Sequence, residues 1–141
     1  MSEKKEKLLS LLYSAFEKEY NDTFLYLREA ELFRSKIAGG DRLGSVFSGF
    51  SAEELMHADR IASKIIELGG KAQWNFAPLE TERSIHKVLE KHIENEAAAY
   101  MRYTEMLELC EDKNFLLILK GIRDEEKEHL EKAKHILKHL L

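Results

Sequence analysis

The chain has 141 residues, 44% of them hydrophobic and 34% charged, which is enough apolar material for one packed domain and argues against general disorder. Its 22 basic and 26 acidic residues give 22 − 26 = −4, with none of the basic footprint of a nucleic-acid binder. The single cysteine, Cys110, excludes an intrachain disulfide framework and any Cys-x-x-Cys redox, rubredoxin or zinc-finger site, and it makes a reducing, cytoplasmic setting the default.

One proline and seven glycines mean few turns, which favours long helices over a many-stranded sandwich or barrel. The apolar stretch Leu8–Phe16 follows lysines as a signal peptide would. It has no small-x-small cleavage site, and helical periodicity runs on through Glu17, Lys18 and Glu19, so it reads as helix. No apolar run approaches the roughly 20 residues of a membrane span. Breaks at Gly39-Gly40, Gly69-Gly70 and Glu111–Asn114 leave four predicted helices, about 4–38, 42–68, 82–110 and 115–140, the last three capped by Asp41, Thr81 and Asn114. The first and last connections are short, so each joins an antiparallel hairpin. The middle connection, Gly69 to Thr81, holds the proline. At about 3.3 Å per extended residue it reaches roughly 40 Å, the length of a helix of this size. The predicted fold class is all-α: an antiparallel four-helix bundle with one long crossover, a single domain over residues 1–141.

Steps of three and four trace a seam along each helix. The first reads Leu12, Phe16, Glu19, Thr23, Tyr26, Ala30, Phe33, Ile37; the second reads Leu43, Phe47, Phe50, Glu54, His57, Ile61, Lys64, Leu68. The third reads Ile85, Leu89, His92, Glu96, Ala99, Tyr103, Met106, Cys110; the fourth reads Phe115, Leu119, Ile122, Glu126, His129, Ala133, Ile136, Leu140. Each apolar seam is interrupted near its middle: by Glu19, by Glu54 and His57, by Glu96, and by Glu126 and His129. Buried carboxylates are rare unless paired, and four in one layer repel one another. No lysine or arginine stands at that level of the seams; Lys64 is two turns from His57. A cation must therefore fill the layer, and two divalent metals match four carboxylates in charge, with two imidazoles completing the donor set. A Glu from each of two helices plus Glu-x-x-His from each of the others is the pattern of di-iron and di-manganese carboxylate sites. The hairpins also repeat each other: Glu19 and Glu96 each stand seven residues before a tyrosine, Tyr26 and Tyr103.

These motifs resemble the ferritin-like superfamily over nearly the whole chain. Glu54-Leu-Met-His-Ala-Asp-Arg-Ile61 and Glu19 through Phe33 look like bacterioferritin. Glu96-Ala-Ala-Ala-Tyr-Met-Arg-Tyr-Thr104 and Arg-Asp-Glu-Glu-Lys-Glu-His129 look more like rubrerythrin. The resemblance implies a ferritin-like bundle and a di-iron site with Glu54 and Glu126 bridging, Glu19 and Glu96 terminal, and His57 and His129 as nitrogen ligands. It implies two iron ions per chain, with manganese as the alternative. It further implies oxidation of Fe(II) by O2 or hydrogen peroxide, an unidentified electron donor and a homo-oligomer, dimer or larger. Oligomeric iron storage and a non-catalytic metal-stabilised bundle are the alternatives. Three departures stand beside it. Ala99 occupies the place of an additional rubrerythrin carboxylate, one cysteine cannot build a rubredoxin module, and Leu55 stands where bacterioferritin has its haem-binding methionine. Met56 lies about 100° further round the helix, so no haem is expected. His92 reads as a hydrogen-bonded core histidine, Tyr26 and Tyr103 as packing residues, Cys110 as an inert buried thiol, and His86, His135 and His139 as solvated. Glu53 and Glu125 point off the seam. Small Thr23 and Ala99, each one turn from a terminal glutamate, either leave room for a small oxidant or serve close packing between helices.

Overall fold

The computed structural model describes residues 2–75, 77–78 and 82–140. Four helices are present: α1 Glu3–Arg34, α2 Gly40–Glu67, α3 Ile85–Leu109 and α4 Lys113–His139. There is no strand among the described residues. Of the predicted seams, all but four of the 32 positions are buried, and Ile37, Leu68, Ile136 and Leu140 at the helix ends are half-buried. The helical period alone therefore assigns the core face of every helix. Among the described residues, no helix is long and apolar enough to cross a membrane.

The chain divides into two compact units, Tyr13–Glu80 and Met1–Leu12 with Thr81–Leu141. In the first, α1 and α2 run antiparallel. The Ser51 hydroxyl donates to the Thr23 carbonyl oxygen at 2.6 Å, and Tyr26 meets Phe47 and Phe50 edge-on, each at 5.3 Å between ring centres. This trio is an apolar block whose edge-to-face geometry adds to area burial. Phe47→Ala is expected to cost about 3–5 kcal/mol of unfolding free energy in urea titrations. Leu117→Ala, at a position 70% exposed, should stay within about 0.5 kcal/mol. In the second unit, α3 packs on α4, and the start of α1 reaches the end of α3 through exposed ion pairs, Lys7 with Glu105 at 3.1 Å and Lys4 with Glu111 at 3.7 Å.

The helix ends differ from their predicted positions. Gly39 is not a stop but the N-cap of α2, in the left-handed region at φ 76°, and Asp41 sits in the first turn. A Cβ on Gly40 would collide with the carbonyls of Phe33 and Arg34, so the end of α1 and the start of α2 meet backbone to backbone. The cap of α4 is Asp112 rather than Asn114: its carboxylate accepts from the Asn114 and Phe115 amides at 3.0 and 3.3 Å. Ser84 caps α3 by accepting from the Lys87 amide at 3.4 Å. The predicted cap Thr81 lies outside the described residues. The Gly69-Gly70 stop is as predicted, and Gly69 takes φ 88°. The Gly69 amide donates to Ile66 and the Gly70 amide to Ile65, the paired bonds of a Schellman close.

Candidate metal centre

Each unit brings three of the six predicted ligands together. In the first, the helical phase that buries Glu54, His57 and Ala58 leaves Leu55 and Met56 exposed. The Glu54 carboxylate and His57 ring thus share one face of α2, a turn apart, and Glu19 meets them from α1. The Nδ1 nitrogen of His57 lies 3.2 Å from Glu19 Oε2 and 3.3 Å from Glu54 Oε1. One donor atom from each of the three lies within 4.8 Å of the others. Thr23, one turn along, donates its hydroxyl to the Glu19 carbonyl at 2.7 Å.

The second unit builds the same set. Glu126 and His129 share a face of α4, and Glu96 meets them from α3. His129 Nδ1 lies 3.4 Å from Glu96 Oε2, and the donor atoms of all three again fall within 4.8 Å of one another. In both units the same ring nitrogen is turned to the carboxylates. All six residues are inaccessible to solvent, none being more than 1% exposed. Two carboxylates and one imidazole at this spacing, with no access to water, are a donor set suited to a hard divalent cation.

One prediction does not hold. A lysine does stand at this level: Lys18, whose side chain is only 12% exposed, places its ammonium nitrogen 2.7 Å from Glu54 Oε2, 3.2 Å from Asp22 Oδ2 and 3.7 Å from Glu19 Oε1. Its Cα is off the seam, but its four-carbon stem carries the charge to the layer. Asp22, also off the seam, is buried with it at 5% exposure. The sequence signal for both was a lysine directly before the first seam glutamate, with an acid four residues on.

The remaining positions fall as follows. His92, Tyr26 and Tyr103 are buried, while His86, His135 and His139 are exposed. Cys110 is a free, buried thiol whose sulfur donates to the Asp112 carbonyl at 3.4 Å. Glu53 and Glu125, each next in sequence to a predicted ligand, are half-buried. Lys64 is buried on its seam, with its ammonium nitrogen 3.3 Å from Glu67. Met56 is 55% exposed on the outer face of α2.

Fold and donors together define a class: an all-α chain whose deeply buried acids come in two Glu–Glu–His sets. The ferritin-like domain model matches residues 9–140, and the chain belongs to that family. Its fold is that of the ferritin-like four-helix bundles. Bacterioferritin from Desulfovibrio desulfuricans, described with a diiron site in different catalytic states, is similar at TM-score 0.81 and 22% identity over 96% of this chain and 81% of that one. A bacterioferritin-related protein from Bacteroides fragilis, described as a dodecameric thioferritin, gives TM-score 0.82 and 24% identity over 95% and 86%. A ferritin-like, diiron-carboxylate protein from Bacillus anthracis gives TM-score 0.85 and 22% identity over 97% and 99%. No curated protein matches the chain in sequence.

Proposed function

We propose that Glu19, Glu54, His57, Glu96, Glu126 and His129 form one centre within a single domain, and that this centre binds two iron ions and oxidises Fe(II) with O2 or hydrogen peroxide. The observation that carries this reading is the identity of the two half-sites: two carboxylates and one Nδ1 nitrogen in each, fully buried. Four carboxylates carry −4, which two divalent ions neutralise. Without such charge the layer bears a desolvation penalty of several kcal/mol per ion. Iron bound there would supply one-electron redox change and Lewis acidity, for which oxygen-rich donors are suited.

The chain's own residues divide the work. Glu54 and Glu126, each paired with a histidine on its own helix, would be shared between the two ions as in the ferritin-like pattern, and Glu19 and Glu96 would each serve one. Thr23 and Ala99 are small and buried, and in this reading a small oxidant would approach beside them. No glycine-rich cofactor loop is present in the sequence to suggest a larger substrate. Leu55 and the outward Met56 support a centre without haem. The sequence of α3 and α4 aligns the chemistry with rubrerythrin-like peroxide removal as much as with ferroxidase action. A cytoplasmic homo-oligomer served by an unidentified electron donor completes this reading.

Iron storage in a larger shell is the second reading, favoured by the similarity to a protein described as dodecameric. Anaerobic loading with Fe(II) followed by elemental analysis and native mass measurement tests both. Two irons per chain are expected, and a plateau at or below one would sink the paired centre. Glu126→Ala should reduce occupancy by at least half, whereas Glu53→Ala should leave it near the wild-type value. A native mass of a 12- or 24-subunit shell would favour storage, and a dimer would favour the oxidase reading.

A further inference from the structure

The two half-sites match in their ligands and differ in what stands beside them. In the sequence repeat that aligns Glu19 with Glu96, position 18 matches Asn95 and position 22 matches Ala99. The first half therefore carries an ammonium and a carboxylate, Lys18 and Asp22, where the second carries a neutral amide and a methyl. Lys18 lies among acids, with Glu19 Oε1 at 3.7 Å and two nearer partners. Its ammonium nitrogen lies 2.7 Å from Glu54 Oε2 and 3.2 Å from Asp22 Oδ2, and both acids are buried.

Glu54 has two oxygens to offer a metal centre, and the ammonium occupies one of them. We propose that Lys18 is a resident cation of this half-site: it holds Glu54 while the half-site is empty and withdraws onto Asp22 when a metal ion takes that oxygen. The inference rests on the reading of Glu54 as a metal ligand. Three features suit Lys18 to the role. An ammonium is a compact charge on a flexible stem with three donors, so it can exchange one acceptor for another without moving its helix. Asp22 lies one turn along the same helix and is already in contact, so withdrawal strands no buried charge. The bond to Glu54 is short and charge-assisted, so a metal must displace a strong interaction to bind there. Lys18 would thus stabilise the empty layer and weaken metal binding at its own half.

Anaerobic titration of the full chain with Co(II), followed by calorimetry and visible absorption, tests this on the wild type and on Lys18→Met. Removal of the ammonium is expected to tighten the weaker binding step by roughly 10- to 100-fold. It should also lower the melting temperature of the metal-free protein while leaving that of the loaded protein close to wild type. Lys18→Arg, which keeps the charge, should restore the metal-free melting temperature. Asp22→Asn should weaken metal binding where Lys18 is present and have no such effect combined with Lys18→Met. If Lys18→Met does not fold, Lys18→Gln, which keeps hydrogen bonding without charge, supports the same comparison. Equal affinities in the wild type and the uncharged variant would overturn the role of Lys18 and leave the metal centre standing. Absence of Co(II) binding in both would overturn the metal centre and this inference with it.

Discussion

His129→Ala and His57→Ala are each expected to abolish the rapid oxidation of Fe(II) by O2 or peroxide. In stopped-flow measurements at near-ultraviolet wavelengths, the rate should fall by at least the roughly 10- to 100-fold that loss of even an outer partner costs a metal site. Each histidine is the one imidazole in its half-site's donor group, and its Nδ1 faces the carboxylates at 3.2–3.4 Å. Alanine removes that nitrogen and leaves a buried void, and no water-exposed group replaces it. His86→Ala is the matched control, since His86 is exposed on α3 and outside both donor groups. Its rate should be that of the wild type. A wild type no faster than buffer, or equal damage from His86→Ala and His129→Ala, would remove the chemistry from this layer.

Removal of metal should lower the melting temperature by roughly 15–20 °C. Each ion held at a hundredfold excess over its dissociation constant contributes about 2.7 kcal/mol, so two contribute about 5 kcal/mol. For a chain of this size one kcal/mol corresponds to about 3–4 °C. The sign follows from the burial of the six ligands: the folded chain assembles the site and the unfolded chain does not. Differential scanning calorimetry after dialysis against a chelator, with and without Mn(II) or Fe(II) restored, measures the difference. Glu126→Ala should lose most of the metal-dependent increment. Coincident transitions with and without metal would contradict a structural contribution from bound ions.

The helical period and the helix faces that carry the candidate ligands were legible in the sequence because both are matters of phase. A residue three or four positions from its neighbour faces the same way whatever the rest of the molecule does, so Glu54 with His57 and Glu126 with His129 were determined locally. The helix ends were less legible, because capping is a competition among adjacent candidates. Asp112 and Asn114 can both accept from backbone amides, and only the extended backbone at Asp112 decides between them. At Gly39-Gly40 the pair starts a helix where its composition suggests a stop, and the close backbone approach that requires Gly40 has no signature in spacing. Lys18 was missed for another reason. Seam positions record where Cα atoms point, and a long side chain can deliver its charge about 6 Å away from that line. The residue just before Glu19 therefore belongs to the site by reach rather than by phase.

The contacts of Trp74 have an optical consequence. This single tryptophan, in the connection after α2, lies face-to-face over Tyr20 and Phe24 of α1, at 4.6 and 5.3 Å between ring centres. Its indole nitrogen donates to Asn21 at 3.2 Å. Trp74 is thereby pinned to the helix that carries Glu19. Because there is one indole among five tyrosines, emission excited on the red side of tyrosine absorption is the emission of this clamp, with no second indole to subtract. Fluorescence thus follows the seating of the connection while circular dichroism follows the four helices. The chain carries two independent probes of its own folding, and their agreement or divergence tells whether the clamp and the helices melt as one.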